Sequence, residues 1–387
     1  MSVTRRSFVK AVGATGIGAL GVPFLSARGA EAATASPLDA ALLEVSPLGT
    51  PTGIRLDSNE NPNGPGRAVL DAVRDAFSVA NRYPMGPASE LVNALAKARG
   101  VKPENILLGC GSTEILSIAV RAFTSPTKAL VVASPTYEDP GKTGKTHGSE
   151  VREVPVTGDL HLDLDAMAEA GQGAGLVYLC NPNNPTATVH GADEVNNFIA
   201  TLAKTSPDTM ILVDEAYHEF VEDPAYATAI PVAIQNPKVI VARTFSKIYG
   251  MAGLRLGYAI GVPDTIKLMQ PLKIGNSTNM LAVAGAFAAL KQPVAHLERE
   301  RKLNHDAKAF TRNFFEKAGY KVTPSEANFM MVDIRRDSKQ FQADCKAKGV
   351  LVGRPFPPLT THARISVGTA DEMRRATEIF KRVLVNA

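Results

Sequence analysis

Residues 239–247 read VIVARTFSK, an apolar run followed by a loop that carries two hydroxyl side chains and a lysine. A short continuous apolar run is typical of a strand buried on both faces of a parallel sheet. Similar runs lie at 106–109, 129–133, 176–180 and 210–213. Helical segments such as 192–204 separate them. Strands that alternate with helices predict an α/β fold with a mostly parallel sheet flanked by helices.

The pattern changes beyond about residue 272. The elements predicted there are helices at about 294–317, 339–348 and from 371 onward, and strands at about 328–334, 350–352 and 364–367. This mixture predicts a smaller α+β domain. The expected divisions are a signal peptide, an N-terminal arm that contributes to the small domain, a large cofactor-binding domain and a small C-terminal domain, at 1–32, 33–74, 75–271 and 272–387.

The first 32 residues have the layout of an export signal. The twin arginines Arg5 and Arg6 precede a Gly- and Ala-rich apolar run at 11–25, and an Ala-Glu-Ala segment at 30–32 is a candidate cleavage site. This order is typical of a bacterial twin-arginine (Tat) signal, so we expect export to the periplasm by the Tat machinery. The alternative is a chance arginine pair before a buried helix.

Charge and cysteine content narrow the possible functions. The chain has 387 residues, and the first 32 hold four of the 42 basic side chains but only one of the 38 acidic ones. The rest is nearly neutral, which gives no electrostatic reason to expect nucleic-acid binding. The three cysteines cannot all pair and have no metal-ligand spacing, so we expect neither a disulfide scaffold nor a metal site. No run after the signal is long and apolar enough to span a bilayer.

Lys247 directly follows a predicted buried strand, which is an unusual place for a solvated charge. A partly desolvated amine has a lowered pKa and can form an imine with an aldehyde. The hydroxyls of Thr244 and Ser246 and the guanidinium of Arg255 can hold a phosphate beside it. An ordinary surface lysine is the alternative, and Lys247 alone does not exclude it.

Two other predicted strands are followed by side chains suited to a pyridine ring. Asp214 follows the strand at 210–213 and can pair with a protonated ring nitrogen, which keeps the ring able to accept electrons. Tyr217 can hydrogen-bond a ring hydroxyl, and Asn184, in the proline-rich loop at 181–186, can donate to the ring oxygen. The alternatives are an N-capping aspartate and an ordinary Asn/Pro turn.

A helix start, a tyrosine and an arginine complete the candidate site. Gly111, Ser112 and Thr113 begin a helix whose unpaired N–H groups can bind a phosphate. Tyr137 can stack on the ring, and Arg364, which opens a predicted strand, can bind a carboxylate through two hydrogen bonds. Ordinary N-capping, a core tyrosine and a strand-edge arginine are the alternatives.

Six motifs together resemble those of fold-type I aminotransferases of class I/II, and most closely their histidinol-phosphate aminotransferase subgroup. In chain order they are Asn-Glu-Asn-Pro, Asn-Arg-Tyr-Pro, Pro-Asn-Asn-Pro-Thr, Asp-Glu-Ala-Tyr, Ser-Lys with Gly-Leu-Arg, and Ser-Glu-Ala-Asn, at 59–62, 81–84, 182–186, 214–217, 246–255 and 325–328. The resemblance covers nearly all of the chain after the signal. It implies a fold-type I structure and an enzyme that depends on pyridoxal 5'-phosphate.

The resemblance also implies residue roles. Lys247 is expected to form a Schiff base with the cofactor and to move the substrate's α-proton, while Asp214 holds the ring nitrogen. Asn184 and Tyr217 are expected to hold the ring oxygen, and Tyr137 to stack on the ring. The implied phosphate ligands are Ser112, Thr113, Thr244, Ser246 and Arg255, with Gly111 at the helix start. The implied substrate contacts are Arg364, Arg354, Asn59 and Asn328.

Tyr83 is implied to reach the cofactor phosphate of a partner subunit, which predicts a homodimer with shared active sites. Two features depart from the subgroup pattern. Ala187 stands where the family usually has a glycine after Pro-Asn-Asn-Pro-Thr. Arg354 lies ten positions before Arg364 in a proline-rich loop, a spacing that differs from that of the subgroup's second arginine.

The predicted reaction is ping-pong transamination between an amino acid or amino-phosphate donor and a 2-oxo acid. One alternative is a decarboxylase or lyase reaction of the same cofactor on the same fold, because substrate placement decides which bond is cleaved. The other is a non-catalytic exported binding protein on this scaffold.

Overall fold

The computed structural model describes residues 53–385. The predicted export signal and residues 33–52 of the predicted arm lie outside this range. The strands are β1 Ile54–Leu56, β2 Ile106–Gly109, β3 Leu130–Ser134, β4 Val151–Pro155, β5 Leu176–Cys180, β6 Met210–Asp214, β7 Val239–Thr244, β8 Gly257–Ile260, β9 Lys321–Val322, β10 Phe329–Asp333, β11 Val350–Val352 and β12 His362–Ser366.

The α-helices are α1 Arg67–Ala76, α2 Met85–Arg99, α3 Gly111–Phe123, α4 Asp139–Thr146, α5 Leu164–Ala170, α6 Ala192–Thr205, α7 Ile230–Ala233, α8 Pro263–Met269, α9 Met280–Lys291, α10 Val294–Lys317, α11 Ser338–Ala347 and α12 Ala370–Val385. Among the described helices no single one is long and apolar enough to cross a bilayer. Helices α9 and α10 together have the length and apolar content of a span, but the chain bends by 96° between them.

Seven strands form the large sheet in the order β2-β8-β7-β6-β5-β3-β4. All of them are parallel except β8, which runs antiparallel to both β2 and β7. Strands β5, β6 and β7 are buried along their whole length, as their continuous apolar sequences require. The predicted mostly parallel sheet flanked by helices is confirmed.

Strands β4 and β8 were not predicted from the sequence. Strand β4 lies at the sheet edge and has two charged side chains, and β8 is a four-residue strand that begins with a glycine. Neither has the long apolar run that marks a buried parallel strand.

Smaller sheets follow in the C-terminal part. Strand β10 lies between β9 and β12 in an antiparallel sheet, and β1 pairs in parallel with β11. A separate apolar cluster joins Ile54 and Leu56 of β1 to side chains between Ala307 and Leu384. The N-terminal strand is thereby built into the C-terminal part of the fold.

The apolar cluster around the large sheet also includes a helix that precedes the strands of this sheet in sequence and a helix that follows them. Val69 of α1 and Ala282 of α9 are buried in this cluster, and α1 packs against α9. The predicted domain boundaries at 75 and 272 stay predictions.

Candidate active site

A cavity of about 500 Å³ opens at the edge of the large sheet where the parallel strands end. Most of the residues predicted for the site line it. They are Asn59, Ser112, Thr113, Tyr137, Asn184, Asp214, Tyr217, Thr244, Ser246, Lys247, Arg255, Arg354 and Arg364. The carboxyl ends of parallel strands share one sheet edge, which explains why segments so far apart in sequence meet here.

Lys247 is partly buried in the wall of this cavity, three residues after β7 ends. Its Nζ donates a hydrogen bond to the backbone oxygen of Asn59 at 3.2 Å and lies 5.5 Å from the centre of the Tyr217 ring. Burial, reinforced by the positive charge of Arg364, lowers the pKa of Lys247 to about 8. The amine is therefore available as a nucleophile close to neutral pH.

Asp214 ends β6, the strand between β5 and β7. Its side chain is buried and accepts hydrogen bonds from the Tyr178 hydroxyl at 2.8 Å and from the backbone N–H of Ala216 at 3.1 Å. Burial raises the pKa of Asp214 to about 6, although both hydrogen bonds and the charge of Lys247 oppose the shift. A cation beside this carboxylate would favour its ionised form.

Asn184 follows β5 in a loop whose conformation is stabilised by side-chain hydrogen bonds of the neighbouring Asn183. Asn183 accepts a hydrogen bond from the Thr136 hydroxyl at 2.7 Å and donates to the Thr186 hydroxyl at 2.9 Å. The Asn184 side-chain oxygen accepts a hydrogen bond from Arg364 at 2.7 Å. Ala187, at the position where the family usually has glycine, adopts the left-handed conformation with φ 64°. The departure therefore leaves an alanine in a backbone conformation that favours glycine.

Hydroxyls, a helix N-terminus and a guanidinium surround the part of the cavity next to Lys247. The Thr244 hydroxyl donates to the Ser246 hydroxyl at 2.9 Å, and Arg255 donates to that same Ser246 oxygen at 3.3 Å. Gly111 begins α3 with φ 73°, and a Cβ at this position would collide with the Arg255 guanidinium. Glycine thus allows a cation to approach the positive end of a helix.

This arrangement provides a test of whether a phosphate fits. The Arg255 guanidinium and the α3 N-terminus are both positive, and Arg255 has no carboxylate partner among residues 53–385. Two like charges at one place are stabilised by an anion between them, and the nearby hydroxyls of Ser112 and Thr113 add hydrogen-bond donors. The residues present therefore fit the phosphate group that the sequence predicts.

Aromatic side chains form the walls beside these groups. The Tyr137 hydroxyl donates to Asp139 at 2.5 Å, and burial raises the pKa of Tyr137. The Tyr217 hydroxyl accepts a hydrogen bond from the Asn59 side chain at 3.1 Å, and burial raises its pKa as well. Both phenols stay protonated at neutral pH, and the Tyr217 hydroxyl, which only accepts a hydrogen bond here, can donate one to a ligand.

Arg364 enters the cavity from β12 and is 8% exposed. It donates to the Asn184 side chain and, at 2.5 Å, to the backbone oxygen of Asp57, while its Nε has no hydrogen-bond partner among the described residues. Burial lowers the pKa of Arg364 to about 10. A buried guanidinium without a carboxylate partner in this part of the chain fits the anionic group of a substrate.

Three predicted residues do not line the cavity. Gly111 lies behind Arg255, and Tyr83 is 76% exposed, so its predicted contact with a partner subunit stays a prediction. Asn328 is buried and donates to the backbone oxygens of Asn59 and Glu60, so its predicted contact with the substrate also stays a prediction. Its amide supports the segment that contacts Lys247, because those buried carbonyls need donors.

Two aromatic side chains at the site, Tyr178 and Phe356, were not predicted from the sequence. Tyr178, which orients Asp214, lies inside a buried strand, where a tyrosine looks like an ordinary core residue. Phe356 stacks between guanidinium groups, with its ring centre 4.9 Å from Cζ of Arg364 and 4.2 Å from Cζ of Arg354. The proline-rich sequence around Phe356 gave no signal of either contact. No cluster of three or more metal-ligating side chains occurs within residues 53–385.

Comparisons with known proteins agree with this geometry. The sequence profile of the family described as aminotransferase class I and II matches residues 51–380. The chain is 38% identical over 341 residues to a histidinol-phosphate aminotransferase of Moorella thermoacetica, covering 87% of this chain and 86% of that protein. The corresponding enzyme of Symbiobacterium thermophilum is also 38% identical over 341 residues, with 87% and 92% covered.

Among solved structures, the histidinol-phosphate aminotransferase from Sinorhizobium meliloti in complex with pyridoxal-5'-phosphate is similar to this chain. The TM-score is 0.80 at 29% sequence identity, and the match covers 92% of this chain and 99% of that one. The similarity therefore extends over the large sheet, the C-terminal part and the cavity between them.

Proposed function

We propose that this chain, which belongs to the class I and II aminotransferase family, transfers amino groups in the manner of its histidinol-phosphate aminotransferase relatives. It is a pyridoxal-phosphate-dependent transaminase, rather than the non-catalytic binding protein considered from the sequence. Its proposed substrates are an amino acid or amino-phosphate donor and a 2-oxo acid. The observation that best supports this is that Lys247, Asp214 and Arg364 line one cavity, and that the Arg364 guanidinium has no carboxylate partner among residues 53–385.

Pyridoxal phosphate, when bound, supplies an aldehyde that takes up the amino group and a ring that accepts electrons from the substrate. Its phosphate would be held by the α3 N-terminus, the hydroxyls of Thr244 and Ser246, and Arg255. Asp214 would face the ring nitrogen as an anion, and Tyr178 fixes the orientation of its carboxylate.

Lys247 moves the proton in this mechanism. Its lowered pKa of about 8 leaves part of the population neutral at physiological pH, so Nζ can accept a proton from the substrate's α-carbon and return it. Arg364 binds the substrate's anionic group on the other side of the cavity and thereby orients the α-carbon toward Nζ. Tyr137 and Tyr217 line the walls of the cavity between these groups.

We further propose a homodimer in which Tyr83 contacts the partner's site. Tyr83 lies near other exposed apolar side chains in sequence, including Phe77 at 56% and Met85 at 69% exposure. Exposed apolar side chains that cluster are typical of protein contact surfaces. Sedimentation of the purified protein tests this: a monomer at micromolar concentration with full activity would contradict it.

Export by the Tat pathway is likewise a proposal, supported by the twin arginines and the apolar run that follows them. We expect the mature protein in the periplasm of its host. Cell fractionation of the wild type and of a variant with both Arg5 and Arg6 replaced by Lys tests this. Full-length wild-type protein confined to the cytosol would rule it out.

The reaction itself is tested by a screen of amino donors with the cofactor-loaded protein. Transamination predicts that a 2-oxo acid is released and that the cofactor's visible absorption disappears with the donor alone. Release of carbon dioxide in its place would favour the decarboxylase alternative. Lys247→Ala should abolish turnover while circular dichroism stays unchanged, and retained turnover would refute the assigned role.

A further inference from the structure

A second hollow of about 310 Å³ adjoins the active-site cavity. The two share Thr136, Tyr137 and Phe356 as lining residues. We call this second space the outer hollow. A substrate held at Arg364 by its carboxylate can extend a side chain past Phe356 into it, so its lining bears on the choice of substrate.

Arg354, which lines the inner cavity beside Phe356, and the two lysines of the outer hollow all form ion pairs. Arg354 Nη2 lies 2.6 Å from a Glu138 carboxylate oxygen, and Lys142 Nζ lies 2.8 Å from the other. Lys145 pairs with Glu153 at 2.9 Å. Each of these three cations has a carboxylate partner within hydrogen-bond distance.

The other two guanidinium groups of the inner cavity have no such partner among residues 53–385. Neither Arg255 nor Arg364 forms an ion pair within the described part of the chain, and Arg364 Nε is buried without a hydrogen-bond partner there. Those two guanidinium groups match two anionic groups, the cofactor phosphate and the substrate carboxylate. A third anion, on the substrate's side chain, would meet a guanidinium that is already paired.

The Arg354 guanidinium makes three kinds of contact: an ion pair, a hydrogen bond to the backbone and a contact with an aromatic ring. Besides Glu138, its Nη1 donates to the backbone oxygen of Pro355 at 2.9 Å, and its Cζ lies 4.2 Å above the Phe356 ring. Glu138 stays ionised at neutral pH: although burial acts to raise its pKa, Lys142 and Arg354 hold that pKa below its usual value. An anionic side chain on the substrate must compete with this carboxylate for Arg354.

We propose that Glu138 is a specificity-determining residue, an internal anion that competes with the substrate's side-chain anion for Arg354. The outer hollow then favours amino donors whose side chain is uncharged, aromatic ones included, because the aromatic side chains of Tyr137 and Phe356 line the passage between the two spaces. Donors that carry a second anionic group on the side chain are disfavoured. This rests on the proposed aminotransferase function, since it concerns the donor bound in the same cavity.

The test measures the half-reaction, in which the donor alone discharges the cofactor's visible absorption. The donors are phenylalanine, glutamate and aspartate, and the enzymes are the wild type, Glu138→Gln, Arg354→Gln and the double variant. Glu150→Gln is the matched control, because Glu150 makes the same kind of ion pair, with Arg152, but does not line either space.

The wild type should react faster with phenylalanine than with either anionic donor. Glu138→Gln should raise the second-order rate constants for glutamate and aspartate about two- to fivefold, the upper range of an exposed ion pair, and change that for phenylalanine by less than about twofold. In the Arg354→Gln background this gain should disappear, because the competition requires the guanidinium.

Unchanged donor ratios in Glu138→Gln, or a wild type that prefers the anionic donors, would overturn the inference while leaving transamination intact. If no donor in a broad screen discharges the cofactor absorption, the proposed function itself fails and this inference with it. The visible spectrum of each variant, recorded before the donor is added, shows whether the site is still formed.

Discussion

Arg364 donates a hydrogen bond from Nη1 to the side-chain oxygen of Asn184 at 2.7 Å, although 180 residues separate them in sequence. The contact joins β12 in the C-terminal part to the loop after β5 in the large sheet. Because the amide oxygen of Asn184 accepts from Arg364, its N–H group is the donor that remains for the cavity. This one hydrogen bond thus fixes the orientation of two groups: the guanidinium expected to bind the substrate and the amide expected at the cofactor ring.

Asn184→Asp should therefore impair both functions of this pair. The new carboxylate would form an ion pair with Arg364, compete with the substrate's carboxylate and offer no donor to the ring oxygen. We expect KM for an amino donor to rise about tenfold, since a charge-assisted pair contributes roughly 1.5–3 kcal/mol. Steady-state kinetics measure this, and an unchanged KM would contradict the proposed role of Arg364.

Cofactor loading should depend on pH through Lys247. Only the neutral amine attacks an aldehyde, and burial with the charge of Arg364 lowers the pKa of Lys247 to about 8. The rate at which cofactor-free protein takes up pyridoxal phosphate should rise with pH and reach half its maximum near pH 8. Stopped-flow absorbance measures it.

Arg364→Met supplies the control for this titration. It removes a positive charge that lowers the lysine's pKa, so the midpoint should move to higher pH. A wild-type rate that still rises steeply above pH 9.5 would mean that the lysine behaves as an exposed one.

Much of the site could be predicted because its residues follow buried parallel strands. Apolar runs identify β5, β6 and β7 from sequence alone, and in a parallel sheet their ends meet at one edge. The positions of Asn184, Asp214 and Lys247 directly after these runs therefore predict that the three side chains lie together. The short strand β8 and the edge strand β4 lack such runs, so they were not predicted.

Pairwise contacts were harder to predict. Arg354 was expected to bind substrate, but a sequence does not reveal that Glu138, 216 residues earlier, lies within 2.6 Å of it. Asn328 belongs to a recognisable motif, yet its amide points at backbone oxygens behind the cavity. Motifs identify which residues are near a site, whereas the direction of each side chain depends on tertiary packing.

Asp214 should make the stability of the cofactor-free protein depend on pH. Burial raises its pKa from 3.8 to about 6 in the folded state, so the folded chain binds more protons than the unfolded one between those values. The free energy of unfolding should fall as pH rises through about 4 to 6, by on the order of 2–3 kcal/mol.

Asp214→Asn isolates this contribution, because other groups titrate in the same range. Urea denaturation at pH 4, 5, 6 and 7 gives the free energy of unfolding of both proteins without cofactor. The wild-type value minus the variant value should decrease with rising pH. A difference that is flat or increases would show that Asp214 ionises easily in the folded chain.

The ion pair next to Asp214 should matter for stability far more than a surface pair. Glu215 and Arg243 are 1% and 2% exposed and lie 2.7 Å apart, linking the end of β6 to β7. Arg243→Met leaves the Glu215 charge buried, which typically costs about 3–5 kcal/mol. Lys302→Met breaks an equally short but exposed pair with Asp306 and should cost less than about 1 kcal/mol.

A second substitution separates the lost attraction from the buried charge. Thr228 and the backbone N–H of Ala229 still donate to Glu215 in Arg243→Met. The loss in free energy of unfolding should therefore lie near the lower end of the range of about 3–5 kcal/mol. Adding Glu215→Gln removes the charge and should restore part of the stability, measured by urea denaturation. It should also restore cofactor affinity, because an uncompensated Glu215 raises the pKa of Asp214 and disfavours the anion that faces the ring. If the double variant is less stable than Arg243→Met, the hydrogen bonds of Glu215 outweigh its charge.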